Sequence, residues 1–144
     1  MSVMAPAADY QLSAEPKNND SLVLKVDWGK TSALLAGDVE KKQERFLAGE
    51  NVRADLLKVA HHGSATSTTP ELLRAVQPHF AVISSGFRNR FGHPRPEVLE
   101  RLQQAHIATF RTDLFGATTF YLDGKDVSAA VQGETIIGSP DHPR

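Results

Sequence analysis

Cysteine is missing from the 144 residues. That excludes disulfides, thiolate metal sites and a cysteine nucleophile, and it leaves the compartment open. No apolar run approaches the roughly 20 residues that cross a bilayer, so no membrane span is expected. Residues 1–10 lack both a basic start and an apolar core, so they do not read as a signal peptide. No excess of one charge is present. The 16 Lys+Arg and 17 Asp+Glu give a net charge of −1, which argues against a broad basic face for nucleic acid. Internal repeats of solenoid period are also lacking. What is there is ordinary for a globular chain, with 40% apolar and 23% charged residues, so wholesale disorder is excluded. The length suits one domain or part of a larger one.

Three stretches divide the chain. Residues 1–17 are rich in Ala, Pro and polar residues and are expected to form a mobile lead-in. Residues 18–131 carry the periodic patterns. Residues 132–144 show no periodicity and are expected to fray. Within the central stretch, Ser21–Val26 and Thr31–Ala36 read as strands joined by the turn Asp27-Trp28-Gly29-Lys30. Val39–Ala48 has helical composition, with Gly49 as its stop. Ala54–Ala60 reads as a strand running into His61-His62-Gly63-Ser64. Thr69 and Pro70 open a helix whose buried side is Leu72, Leu73 and Val76. Phe80–Ser84 is a strand, Pro96 opens a helix to Ala105, and Ile107–Phe110 is a short strand. Two final strands, 117–122 and 127–131, flank the turn Asp123-Gly124-Lys125-Asp126. Strands alternating with helices, plus two hairpins, predict an α/β fold with a mixed sheet and flanking helices.

Polar groups follow the ends of several strands, the edge where loops of an α/β sheet converge and ligands collect. Asp38 follows the second strand. It reads either as the N-cap of the next helix or as a site carboxylate. His61 and His62, at a strand end, are expected to point to opposite sides of the strand axis, so that one faces a site and the other packs or orients it. Imidazole ligates Zn, Mn or Fe and serves as acid or base near neutral pH. Ser64 offers a hydroxyl and an N–H to an anion. Pro94 restricts the backbone of His93, and Arg88, Arg90 and Arg95 suit phosphate oxygens. The bland alternatives are a polar turn with a half-buried His and an ordinary basic loop. His79, His106 and His142 look ordinary.

Several segments together resemble one family. They are Asn18-Asn19-Asp20-Ser21-Leu22-Val23-Leu24, Leu35-Ala36-Gly37-Asp38, Ala54–Ser64, Ala81–Gly86, Asn89-Arg90-Phe91-Gly92-His93-Pro94 and Arg111-Thr112-Asp113. In this order they resemble the C-terminal half of the metallo-β-lactamase-like domain of ComEC-type DNA internalization (competence) proteins. The resemblance implies half of an αββα sandwich and part of a metal-dependent hydrolase, a nuclease cleaving phosphodiester bonds of DNA. It implies Asp38, His61, His62 and His93 as metal ligands for Zn or Mn. His62 and His93 are then also catalytic candidates, and Asn19, Ser64 and Arg90 are substrate contacts. Asn19 sits where many relatives of the fold place a ligand histidine. An amide is a poorer ligand, so Asn19 is expected to orient a phosphate or water.

One departure carries weight. The early His-x-His-x-Asp-His cluster of such domains does not occur here. Zinc takes about four ligands and manganese up to six, more than these residues offer for two ions. The chain is therefore expected to be a fragment of a membrane protein, weak in metal binding and inactive alone. The expected partners are single-stranded DNA, the N-terminal half of the same domain, the membrane channel region and a second copy meeting a bare sheet face. The expected place is the outer side of a bacterial inner membrane. The rival readings are a hydrolase of small esters on the same fold and a non-catalytic binding module.

Overall fold

The structure, a computed structural model, describes residues 1–7, 9–11, 14–131 and 134–137. A six-stranded mixed sheet runs in chain order through β1 (Ser2–Ala5), β2 (Val23–Trp28), β3 (Thr31–Leu35), β4 (Leu56–Lys58), β5 (Phe80–Ile83) and β6 (Ala108–Arg111). β1, β2 and β3 pair antiparallel, whereas β3 to β6 pair parallel. The connections after β3, β4 and β5 carry α1 (Lys41–Leu47), α2 (Pro70–Val76) and α3 (Pro96–Gln104). The fold is α/β with a mixed sheet and flanking helices, compatible with half of an αββα sandwich.

The period of two along each strand sorts the core into two layers. Leu34, Leu57 and Ala81 stand side by side in register and pack with Leu47, Leu72, Val76, Val98 and Leu102 of the helices. Each fully buried Leu contributes about 1.5–3 kcal/mol relative to exposure. The alternate residues Ala33, Leu56 and Phe80 face the other way. Thr69 caps α2 as its sequence suggests. Its hydroxyl accepts from Leu72 N at 3.2 Å, and Pro70 fills the first turn.

A second, antiparallel sheet of β7 (Thr118–Leu122), β8 (Val127–Val131) and β9 (Glu134–Ile137) packs on that other face. Val127 and Ala129 are buried there, with Phe120, Leu122 and Val131 against them. The bare face expected of a half-sandwich is thus covered over Ala33, Leu56, Phe80 and Phe110. The two sheets also meet at their turns, where Lys30 N donates to Gly124 O at 2.8 Å.

Two terminal segments differ from expectation. β1 forms within the stretch read as a lead-in, because Ser2 and Val3 pair with Lys25 and Leu24 and bring Ala5 into the core. β9 forms within the stretch read as a tail, on the open edge of β8. Neither has the length for a periodic signal, and both borrow their ladder from a hairpin. Residues 132, 133 and 138–144 of the expected tail lie outside the described residues.

Candidate functional site

Parallel pairing of β3 to β6 brings the C-terminal ends of those strands to one edge. Antiparallel β2 adds the turn Asn18–Asp20 from its start. The backbone ties these loops together. His61 N donates to Gly37 O at 3.0 Å, and Arg95 N donates to Gly63 O at 2.9 Å. Ser85 and Thr112 bond reciprocally, Ser85 N to Thr112 Oγ1 at 2.9 Å and Thr112 Oγ1 to Ser85 O at 2.8 Å. Arg111 clamps Asp113 with two bonds of 3.1 and 2.6 Å, and this holds the Asp113 carboxyl below the usual range.

Asp38 does not cap a helix. The α1 cap position is Glu40, so the Asp38 carboxylate stays at the edge, 40% exposed. Its own N–H donates to Ser21 Oγ at 3.2 Å.

His61 and His62 do not alternate across a strand end. Both have left-handed backbones, with φ of 47° and 55°, in a tight turn over Ala60–Gly63. The alternation expected of extended backbone is replaced by two successive residues wound the same way. The two rings lie 6.5 Å apart, and His61 lies 5.9 Å from the His93 ring. His62 Nδ1 donates to Ser84 O at 2.6 Å. A carbonyl only accepts, so Nδ1 carries the proton. Nε2 then faces Asp38 Oδ1 at 3.6 Å.

Glu40, which the sequence reading passed over, stands beside His61, with Oε1 3.6 Å from Nδ1. It accepts from Thr66 Oγ1 at 2.8 Å, and its N–H donates to Asn19 Oδ1 at 2.9 Å. Spacing of two from Asp38 in Gly37-Asp38-Val39-Glu40 is the signal that pairs the carboxylates. Asn19 is thus engaged through its oxygen. Ser64 is buried, and its hydroxyl meets Thr66 Oγ1 at 3.0 Å. The Ser64 N–H, expected to face an anion, instead donates to His61 O at 2.9 Å, because the turn closes on itself.

His93 is held by Asn89, whose Oδ1 accepts from His93 N at 3.0 Å and whose Nδ2 donates to His93 O at 2.6 Å. Burial lowers the His93 pKa, and His61, Arg95 and His62 lower it further. A cavity of about 470 Å³ opens beside it, lined by His62, Ser84, Ser85, Gly86, Asn89, Phe91 and His93. Lys58 is a second residue passed over. Burial lowers its pKa, and Asp38 partly restores it. Its signal is a lone charge in the apolar run Leu56-Leu57-Lys58-Val59. Arg90 is exposed, with its guanidinium 5.0 Å from the Phe91 ring centre.

The fit to a metal is partial. Nδ1 of His61 and of His93 are buried without a hydrogen-bond partner, with the Glu40 carboxylate 3.6 Å from that of His61. Yet among the described residues no group of three or more His, Asp or Glu is close enough to hold a metal ion. These donors by themselves do not fit a closed coordination sphere.

No family model matches the chain. It is 42% identical over 120 residues to ComE operon protein 3 of Bacillus subtilis, covering 82% of the chain and 15% of that protein. Competence protein ComA of Neisseria gonorrhoeae is 40% identical over 115 residues, covering 78% of the chain and 17% of that protein. Recombination protein 2 of Haemophilus influenzae is 41% identical over 115 residues, 78% of the chain and 15% of that protein. The chain therefore spans less than a fifth of the length of these curated relatives. No helix among the described residues is long and apolar enough to cross a membrane.

Proposed function

Because this chain is homologous to one segment of the ComEC-type competence proteins, we propose that it is part of the hydrolase domain of a DNA uptake protein. In the intact domain it would contribute to cutting phosphodiester bonds of DNA. What supports this reading is the meeting of Asp38, His61, His62 and His93 at one sheet edge, in a chain about 40% identical to competence proteins. The fold expected of such a domain is the metallo-β-lactamase type, of which this chain would form half. The Zn or Mn ions expected with it need donors beyond these four residues, supplied by the rest of a longer protein.

The chain's own residues have definite tasks in this reading. Asp38 presents a carboxylate to the cleft, and His62, anchored on Ser84 O, turns Nε2 toward it. Glu40 sets a carboxylate 3.6 Å from His61 Nδ1. His93, whose pKa burial lowers, favours its neutral imidazole, which suits a ligand or base better than a standing acid. Of the expected substrate contacts, Arg90 is exposed and open to a phosphate, whereas the buried Ser64 hydroxyl is engaged with Thr66, and the surrounding protein would lie on the outer side of a bacterial inner membrane. The deciding experiment is Asp38→Ala in the full-length protein with divalent metal supplied. Loss of DNA cleavage is expected, and full nuclease activity would overturn the assignment.

A second reading has one observation in its favour. The lack of a three-donor group among the described residues suits a non-catalytic binding module. Metal analysis of the natural full-length protein separates the two, since only the hydrolase should retain ions.

A further inference from the structure

Lys58 stands where the strand pattern calls for an apolar residue. It pairs in register with Leu35 of β3 and Val82 of β5, and Phe110 of β6 continues the row. Val82 and Phe110 belong to the apolar cluster between the two sheets. The period of two along β4 turns Lys58 to the same face as Leu56. Its chain neighbours Leu57 and Val59 are fully buried. An ammonium drawn partly out of water among such residues is costly unless another group compensates it. A plain aliphatic side chain would fill the row without that cost, so the charge itself needs a reason.

Two partners show where the ammonium reaches. Nζ donates at 3.4 Å to Gly37 O, the carbonyl directly before Asp38. The same oxygen accepts from His61 N at 3.0 Å, so one carbonyl gathers both Lys58 and the histidine turn. Asp38 is the charge that offsets the burial of Lys58. The turn carrying Asp38 has little room to shift. Gly37 has a φ of +57°, and a β-carbon on it would stand 2.9 Å from Leu22 O. Asp38 N donates to Ser21 Oγ at 3.2 Å. Asp38 is thus fixed between Ser21 on one side and Gly37 O with its two donors on the other. Its carboxylate lies in the field of a positive charge that belongs to the fold.

We propose that Lys58 is the resident counter-cation of Asp38, a positioning residue that keeps the carboxylate in place and weakens the hold of this edge on divalent cations. The proposal rests on reading Asp38 as a cation-binding carboxylate, and it names the residue that regulates that binding. It also gives the short donor set a physical counterpart. Among the described residues no group of three or more His, Asp or Glu is close enough to hold a metal ion, and the carboxylate at this edge already has a cation from its own chain. Like charges repel, so a divalent ion arriving at Asp38 meets the Lys58 ammonium as an opponent.

The test adds Mn²⁺ to the 144-residue chain without DNA and counts the free ion by electron paramagnetic resonance, which reads weak binding as well as strong. Lys58→Met removes the charge and keeps an apolar stem. It should bind Mn²⁺ about five- to tenfold tighter than the wild type. Lys58→Arg keeps the charge and should stay within about twofold of the wild type. Asp38→Asn should lose the uptake. A side chain that merely packs β4 lowers affinity or leaves it alone when replaced, so a gain is specific to a counter-charge. Circular dichroism and the unfolding midpoint show which variants are folded, and Lys58→Gln makes the same comparison if Lys58→Met is not. A neutral variant that binds no tighter than the wild type, or an equal gain in Lys58→Arg, would overturn the proposal. With uptake still lost in Asp38→Asn, that result would leave the reading of Asp38 standing. Uptake retained in Asp38→Asn would overturn both. Failure of DNA cleavage by the full-length protein, with the gain in Lys58→Met intact, would count against the hydrolase reading alone.

Discussion

Gly63 and Pro94 touch so closely that a β-carbon on the glycine would stand 2.6 Å from Pro94 Cβ. Gly63 also has a φ of +82°, which side chains other than hydrogen resist. This contact presses the His61-His62 turn against the His93 loop and sets the spacing of the three rings. Gly63→Ala should therefore cost about 2–3 kcal/mol from backbone strain and forced displacement. Urea unfolding checks it, and an unchanged midpoint would show the contact to be slack.

Glu44 is fully buried in α1, where its carboxylate accepts from Thr68 N and, at 2.8 Å, from Thr69 N. Arg101 donates from the far side to Ser67 O at 2.9 Å and Thr68 O at 3.2 Å. The loop behind the histidines is thus gripped between two helices. Glu44→Ala strands the two N–H groups and should destabilise the fold by about 3 kcal/mol.

The same residue gives a pH prediction with a definite sign. Burial raises the Glu44 pKa above the ordinary 4.5, against the opposing pull of its hydrogen bonds and Arg101. A raised folded value means that the stabilisation linked to its protonation is complete below the unfolded pKa. It is lost as pH rises through the folded one. Relative to Glu44→Gln, the wild type should gain stability as pH falls from neutral toward 4.5. A gap between the two that widens in the opposite direction would contradict the assignment of burial as the dominant cause.

Phe80, Phe110 and Phe120 join the two sheets, with ring centres 6.1, 6.2 and 5.4 Å apart. Phe80→Ala should cost about 3–5 kcal/mol and release β7 and β8 from the main sheet. Hydrogen exchange in β8 checks this, because its amides should lose protection before those of β4 and β5.

Glu40 stands 3.6 Å from His61 Nδ1 and is bonded to Thr66. In the full-length protein, Glu40→Ala should reduce DNA hydrolysis about tenfold, in the range typical of groups that orient a site histidine. Glu40→Gln should recover part of it by keeping the Thr66 contact. Full activity in both variants would remove Glu40 from the site.

The elements legible in the sequence are those whose cause is local. The β2–β3 hairpin follows from β-branched runs around Gly29. The start of α2 follows from Thr69 and Pro70, whose cap needs nothing beyond the helix itself. The parallel strands ending at Asp38, His61 and Ser85 were legible as a sheet edge because apolar runs stop there. What was not legible depends on distant partners. The left-handed backbones of His61 and His62 are imposed by closure of the turn on Ser64 and by the bond to Gly37 O. The second sheet reads as a hairpin, but only the three-dimensional contact shows Val127 and Ala129 covering Phe80 and Phe110. Glu40 carries no signal of its own, because only the loop from Ser64 to Thr66, bonded to it through Thr66 Oγ1, and the turn of His61 bring it into the site.

The most direct measurement titrates Mn²⁺ and Zn²⁺ into the purified 144-residue chain by calorimetry and then assays the same samples for DNA cleavage. Donors that fall short of a closed sphere should give only weak uptake and no cutting. Tight binding of two ions with unaided cleavage would contradict the account at its root.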